Sequence, residues 1–513
     1  MRHVAVLAAV CCLLVTIPAL HAAPERPNVV VFLVDDMGLM DTSVPFLTDA
    51  DGKPEPHPLN GFYRTPNMER LAGQGIRFSN FYAMSVCSPT RVSIMTGQTS
   101  ARHRTTNWIR PESNNAGPYG APDWQWKGVT PAHQTLPALL QEAGYRTIHC
   151  GKGHFGPNDT HGEDPSNFGF DVNIAGCASG APGSYYGTEN FGHGKKGRER
   201  RAVPRLEKYH GEEIYLTEAL TREVNAAISE AVEADQPFLA YMAHYAVHAP
   251  FQPDPRFAGN YSEQSERVAA FASMIEGMDK SLGDMLDHLE AVEVAEETLV
   301  FFVGDNATDA PLGPLHDVAC AAPLRGKKGT HYEGGMRVPF IASWAAPNSD
   351  HPLQKQTPIS GGRIVSDVGV VYDLFPTILA LTDTEVPADE RDRTIDGIDL
   401  TPTLTGTGNG PESREFLMHF PHAHRSSYFT VFRKGDWKLV YHYRPEKDAA
   451  WGRYELFDLS EDRDESHNLA AERPDRLREM MTSMTVSLEE AGAQYPLAND
   501  RMSRLVPEMP SGN

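Results

Sequence analysis

Four stretches of this chain climb through apolar residues and then stop abruptly at polar ones. They are "NVVVFLVDD" (28–36), "YRTIHCGKGH" (145–154), "PFLAYMAHYAVHAP" (237–250) and "TLVFFVGDN" (298–306). A run such as Val29 to Val34, apolar at every position and mostly β-branched, has no face to offer water. It fits a strand covered on both sides. Helical patterns lie between the runs: "TPNMERLAGQGI", "TLPALLQEAG", "YLTEALTREVNAAISEAVE" and "VAAFASMIEGMDKSLGDMLDHLEAV". Strands alternating with helices predict an α/β fold with a large, mainly parallel central sheet flanked by helices. Ligands of such sheets sit beyond the carboxyl ends of the strands. The four polar ends are therefore expected along one edge.

The pattern changes after about residue 405, where "GTGNGPES" makes a joint. "FTVFRKGDWKLVYHY" and "RYELFDLSEDRDESHNL" then predict antiparallel strands, ahead of a helix in "DRLREMMTSMTVSLEEAG". The expected organisation is an α/β unit over 24–405 and a small α+β subdomain over 406–513. At the other end, Arg2, an apolar run from Val4 to Leu20 and the small residues Ala22 and Ala23 have the layout of a signal peptide, 1–23. The run is marginal for a membrane anchor and Pro18 interrupts its end, so export to the periplasm or medium without stable membrane insertion is expected. Cys11 and Cys12 leave with that segment. Cys87, Cys150, Cys177 and Cys320 remain, too few for a disulfide scaffold in a chain of 513 residues, and no pairing among the last three is legible.

A formal charge of −22 argues against general nucleic-acid affinity. One segment opposes it: "GKKGRERRAVPR" (194–205) carries Lys195, Lys196, Arg198, Arg200, Arg201 and Arg205. It is either a solvated loop or a docking strip for an anionic polymer.

At the expected sheet edge, Asp35, Asp36, Asp305 and Asn306 offer hard oxygen ligands from two strand ends. Three converging carboxylates repel, which a divalent cation would relieve, and an all-oxygen set with one amide suits Ca²⁺ or Mg²⁺. In "SVCSPTRVSIMTG" (85–97), Pro89 suits a first helical position, which puts Cys87 at a helix start where free N–H groups favour an anion. Arg91, one turn on, can brace an oxyanion or the metal ligands. Lys152, His154, His248 and Lys328 would add donors and proton carriers, although each alone is as well explained as a surface charge or a core histidine. Such a site suits a tetrahedral oxyanion. A bare thiolate fits it poorly, since its adduct has no built-in route to collapse and exported thiols are prone to oxidation.

"SVCSPTRVSIMTG" closely resembles the signature of the type I sulfatases, members of the alkaline phosphatase superfamily. "VVVFLVDDMG", "GYRTIHCGKGHFG", "HYAVHAPF", "FFVGDN", "LRGKKGTHYEGGMRVPFI" and "RKGDWKLV…YELFDL" extend the likeness over most of the chain, in the right order. The resemblance implies an alkaline-phosphatase-like α/β sandwich with a small C-terminal sheet. It implies one Ca²⁺ per chain and conversion of Cys87 to 3-oxoalanine (Cα-formylglycine) by a maturation enzyme. The hydrate of that aldehyde would attack sulfur with one hydroxyl and expel sulfate with the other. By the same resemblance Asp35, Asp36, Asp305 and Asn306 hold the metal together with residue 87. Arg91 and Lys152 steady the formylglycine, His154 is the base that assists sulfate expulsion, and His248 with Lys328 binds sulfate and protonates the leaving alkoxide. Spacing from "EGG" favours Lys328 over Lys327, and His248 sits in the expected setting ahead of His244. Gly153 departs from the aromatic residue common there.

The implied activity is hydrolysis of sulfate esters, with a sulfated carbohydrate of galactose or N-acetylgalactosamine type as the expected substrate. His331, His103, Arg104 and Trp108 are expected substrate contacts, with His422 and His424 as further rim candidates. Trp108, Trp124 and Trp126 would either stack on sugars or anchor their loop. Two alternatives stand beside this: a phosphatase or phosphonate monoester hydrolase of the same superfamily, and a sulfoglycan-binding protein whose Cys87 stays unmodified.

Overall fold

The computed structural model describes residues 26–124, 126, 128–311, 321–386, 394–411, 413–448 and 452–510. The signal-like stretch 1–23 and Cys320 lie outside these residues; Cys87, Cys150 and Cys177 are free thiols. No helix among the described residues is long and apolar enough to cross a membrane.

Eight strands form the main sheet: β1 (Asn28–Val34), β2 (Ile76–Tyr82), β3 (Arg146–Gly151), β4 (Val172–Ile174), β5 (Phe238–Ala243), β6 (Thr298–Gly304), β7 (Phe340–Trp344) and β8 (Arg363–Val370). Their order across the sheet is β4-β3-β5-β1-β6-β7-β2-β8. The four apolar runs are thus β3, β5, β1 and β6, neighbours that all run parallel. Only β7 is reversed, pairing antiparallel with both β6 and β2. β1 at the centre shows why its sequence is apolar throughout. Val30, Phe32 and Val34 pack into one core, while Val29, Val31 and Leu33 pack into the core on the opposite face. The first face is covered by helices Leu216–Glu233 and Glu266–Ala291, the second by helices Cys87–Thr96, Leu136–Glu142 and Leu374–Leu381.

A second sheet of β9 (Glu415–Phe420), β10 (Phe429–Lys434), β11 (Trp437–His442) and β12 (Tyr454–Asp458) is antiparallel throughout, in the order β12-β11-β10-β9. Its alternation divides its residues as the period of a strand requires. Phe416, Met418, Val431 and Val440 join the core of the main unit, whereas Leu417, Phe432, Leu439 and Leu456 pack under helix Pro474–Glu490 through Leu477, Met481, Met484 and Leu488.

A buried ion cluster links the two units. Lys438 on β11 lies 3.0 Å from Glu333 and 2.6 Å from Glu465, all three side chains buried, and Tyr82 O–H donates to Glu333 at 2.6 Å. Removing one partner strands the others away from water, which costs about 3–5 kcal/mol. Lys438→Met, which keeps the volume and deletes the charge, is expected to lower the urea-unfolding free energy by about that amount. An unchanged midpoint would contradict the assignment.

Candidate active site

Strand register builds the site. Val34 pairs with Gly304, Leu33 with Ala243, and Ala243 with Gly151. Asp35, Asp305 and Lys152 are the next residues along, so they leave the sheet at one level. Asp305 N–H donates to Val34 O at 2.9 Å and Lys152 N–H to Ala243 O at 2.7 Å. Gly151 has φ +102°, and a Cβ there would lie 1.9 Å from Ala243 O, so only glycine lets the chain turn out of β3 here.

Each carboxylate has its own buried cation. Lys152 Nζ lies 2.6 Å from Asp35 Oδ2. Arg91 donates through Nε and Nη2 to Asp305 Oδ2 at 3.0 and 2.8 Å, and through Nη1 to Lys152 O at 2.7 Å. Lys328 Nζ bonds Asp36 Oδ1. Mutual repulsion therefore does not by itself demand a metal, because three cations already oppose three carboxylates. Burial pushes Asp35 up against the pull of Lys152. Burial followed by the charge of Asp35 carries Asp305 up to about 6. For Asp36 burial is outweighed by Lys328, His248 and Lys152, which hold it well below the usual range.

The case for a cation rests instead on orphaned oxygens. Ligand atoms of Asp35, Asp36 and Asp305 lie within 4.8 Å of one another. Asp35 Oδ1 and Asn306 Oδ1 are buried and accept no hydrogen bond. Asn306 Nδ2 donates to Asp36 Oδ1 at 2.8 Å, which fixes the amide with its oxygen free. An unsatisfied buried acceptor costs about 1–3 kcal/mol. Two of them beside three carboxylates fit a hard cation with oxygen ligands, and Ca²⁺ tolerates such an irregular set.

Cys87 opens helix Cys87–Thr96, so Pro89 stands third in it, not first as the sequence suggests. Ser88 Oγ accepts from Ile109 N–H at 3.0 Å, and Thr90 Oγ1 from Met84 N–H at 2.9 Å, which tie the first turn to the flanking loops. Cys87 Sγ lies 3.3 Å from His154 Nδ1, and His154 Nε2 lies 2.6 Å from Ile109 O. Since a carbonyl only accepts, Nε2 carries the proton and the Nδ1 lone pair faces residue 87. Burial raises the Cys87 thiol and lowers His154 well below its ordinary value. His248 lies with Nε2 3.7 Å from Asp36 Oδ2; burial brings it down to about 4 despite that carboxylate.

These groups meet in a cavity of about 850 Å³. Cys87, His154, His248 and Lys328 line it, with Trp108, His424 and the turn Ser179–Gly183. Arg91 and Lys152 do not reach it; they act on Asp305 and Asp35. Gly153 brings the chain against Cys177, whose carbonyl would lie 2.9 Å from a Cβ there.

Of the four expected substrate contacts, only Trp108 lines this cavity. His103 is buried with Nε2 3.0 Å from Ser93 Oγ, and burial lowers it to about 3. Arg104 lines a separate depression with His133 and Glu489. His331 is buried under the second sheet, its Nδ1 2.9 Å from Ser426 Oγ and its Nε2 3.4 Å from Glu455. His422 is buried against Thr106, 2.6 Å away, whereas His424 does reach the cavity. Trp124 is an anchor, with Nε1–H donating to Asn114 Oδ1 at 2.7 Å. His244 packs inside against Ser281 at 3.0 Å. Conversely Arg110, Glu112, Asp309 and Arg425 line the cavity without any sequence signal that separates them from other surface charges.

The Sulfatase family model matches residues 27–384. The chain is 31% identical to N-acetylgalactosamine-6-sulfatase of Homo sapiens over 402 residues, which is 74% of this chain and 66% of the relative. It is 26% identical to steryl-sulfatase of Mus musculus over 572 residues, 94% and 84% of the two chains. The alignments with N-acetylgalactosamine-6-sulfatases span about two thirds of those relatives. Among solved structures, Ps i-CgsB in complex with k-i-k-neocarrahexaose shares the fold with a TM-score of 0.70 at 24% identity, over 90% of this chain and 93% of the other. PsFucS1 sulfatase from Pseudoalteromonas sp. does so with a TM-score of 0.63 at 21% identity, over 92% of each.

Ca²⁺ added to chelator-treated protein is expected to raise its melting temperature, by about 2.7 kcal/mol of stability at a hundred times Kd. Asp35→Ala, which removes an orphaned ligand oxygen, should abolish the increment. No increment in the parent protein would contradict a cation site.

Proposed function

This chain belongs to the sulfatase family, and on that premise we propose that it is an exported enzyme that hydrolyses sulfate esters of a sulfated glycan. The observation that carries the reading is the position of residue 87. It lies in the cavity wall, faced by the His154 lone pair, with Lys328 and the acidic cluster beside it. The name shared by the N-acetylgalactosamine-6-sulfatase relatives supports a galactose- or N-acetylgalactosamine-type sugar. The signal-like stretch 1–23 supports export, and a separate maturation enzyme would convert Cys87.

The residues divide the work as follows. Converted to Cα-formylglycine, residue 87 supplies one hydrate hydroxyl as nucleophile and a second to release sulfate. Asp35, Asp36, Asp305 and Asn306 would hold a Ca²⁺, which would supply Lewis-acid polarisation of sulfate oxygens. His154 accepts a proton at residue 87 through Nδ1, because Ile109 O holds its other nitrogen protonated. Lys328 and His248 line the cavity beside Asp36 and are placed to bind the sulfate, with the charged Lys328 placed to protonate the leaving alkoxide. Arg91 and Lys152 pair with Asp305 and Asp35 and aim them, so they position ligands and do not touch substrate.

Cys87→Ala is expected to melt like the parent protein yet lose at least about a thousandfold in turnover of 4-nitrophenyl sulfate. Retained turnover would refute the nucleophile. The peptide spanning Ser85 to Arg91 should lack a thiol and react with a hydrazide probe. Hydrolysis of 4-nitrophenyl sulfate is expected to exceed that of the phosphate ester, and the reverse order would favour a phosphatase.

A further inference from the structure

The structure sorts the cations of the basic strip 194–205 into two kinds. Arg198 pairs with Glu189. Arg205 pairs with Asp164 at 2.6 Å and donates to Gly176 O at 2.9 Å. Gly183 N–H donates to Arg201 O at 2.5 Å, which ties the strip's backbone to the cavity wall. The strip's own carboxylate, Glu199, accepts from Gly194 N–H at 2.5 Å. The side chains of Arg200 and Arg201, by contrast, have no hydrogen-bond or ion-pair partner among the described residues, and both line the cavity that holds Cys87. A third guanidinium joins them there from another segment. Arg110 directly follows Ile109, whose carbonyl fixes His154, and its side chain is exposed and has no hydrogen-bond or ion-pair partner among the described residues.

The acidic lining does not cancel these charges. Asp309 is held by Arg425 at 2.6 and 2.8 Å, which leaves Glu112 against three arginines. On a chain of net charge −22, uncompensated guanidinium groups converging on one cavity create a local field that draws in anions. None of the three side chains makes a hydrogen bond or ion pair among the described residues that would explain it structurally. Guanidinium groups grip sulfate or carboxylate through paired N–H donors. The sulfate under attack is already provided for by Lys328, His248 and the cation site, and a cavity of about 850 Å³ lies towards the upper end of ligand pockets, roughly 300–1,000 Å³. The arginines are therefore placed for something else on the substrate.

Resting on the sulfatase reading above, we propose that Arg110, Arg200 and Arg201 form a subsite for a second anionic group of the glycan, a sulfate or a uronate carboxylate near the ester being cleaved. The enzyme then prefers a multiply charged glycan over a singly sulfated one.

The test combines direct binding and turnover. The ligands are a neutral disaccharide with one sulfate, the same sugar with two sulfates, and a one-sulfate disaccharide containing a uronate. Binding is measured by calorimetry to Cys87→Ala protein with and without Arg110→Gln, Arg200→Gln and Arg201→Gln together. The two doubly charged ligands are expected to bind at least about tenfold tighter than the singly charged one, a difference of about 1.4 kcal/mol. The triple variant should erase that advantage. In the Cys87-containing enzyme the same three substitutions should raise KM for doubly charged substrates by more than for 4-nitrophenyl sulfate, which carries no second anionic group. A larger loss for the disulfated than for the uronate ligand assigns the second group as sulfate, and the opposite assigns it as carboxylate. Equal weakening of all three ligands, or none, overturns the subsite. If the parent enzyme releases no sulfate from any ester, the functional reading falls, while the binding comparison still decides the subsite.

Discussion

Three buried ion pairs, Lys152–Asp35, Arg91–Asp305 and Lys328–Asp36, hold the centre of this protein together. The acids come from the ends of two adjacent strands, β1 and β6. The cations come from three different segments: the end of β3, the helix that begins at Cys87, and the loop after residue 321. Each pair therefore draws one more segment to the same strand ends. The paired side chains are buried or nearly so, so a missing partner would leave a bare charge inside the protein, at a cost of about 3–5 kcal/mol. The position of Cys87 follows from this, because Arg91 is anchored one turn along the same helix.

The second sheet is part of that assembly. Arg425 donates to Lys328 O at 3.0 Å, Ser426 N–H to Gly329 O at 3.0 Å, and Gly329 N–H to Ser85 O at 2.8 Å. The segment that carries Lys328 is thus clasped between the C-terminal unit and the residues just ahead of Cys87. His331, three positions further on, is drawn down among Ser426, His442 and Glu455 and works as a buried tether, not as a substrate contact. Ionisable residues near the reaction centre thus fall into those that face the cavity and those that hold the walls in place.

The parts legible from sequence were those with a strict pattern. The almost unbroken apolar character of β1, β5 and β6 required a sheet buried on both faces, and the polar terminators of these three and of the more mixed β3 marked one edge. β2, β4, β7, β8 and β9 escaped: β2 and β8 mix apolar and polar residues, and β4 and β7 are only 3 and 5 residues long; β8, on the margin, is only partly buried over most of its length. The histidines show the limit more sharply. His103, His331 and His422 stand in polar, loop-like sequence, as His424 does, yet only His424 reaches the cavity. A side chain's direction depends on which element packs over it, and neighbouring sequence does not encode that.

By itself the sequence determined the chemistry on offer: which strands are fully buried, which carboxylates and bases end them, and a cysteine in a sulfatase signature. Only the tertiary structure decided the pairing of those charges, the two acceptor oxygens left open for a cation, and the division of the basic strip into braced and unbraced arginines. The physical reason is one of range. Strand periodicity and helix starts are local and survive in the string, whereas ion pairing and orphaned acceptors arise between residues more than two hundred positions apart, such as Arg91 and Asp305 or Asp36 and Lys328, and exist only after the sheet has set its register.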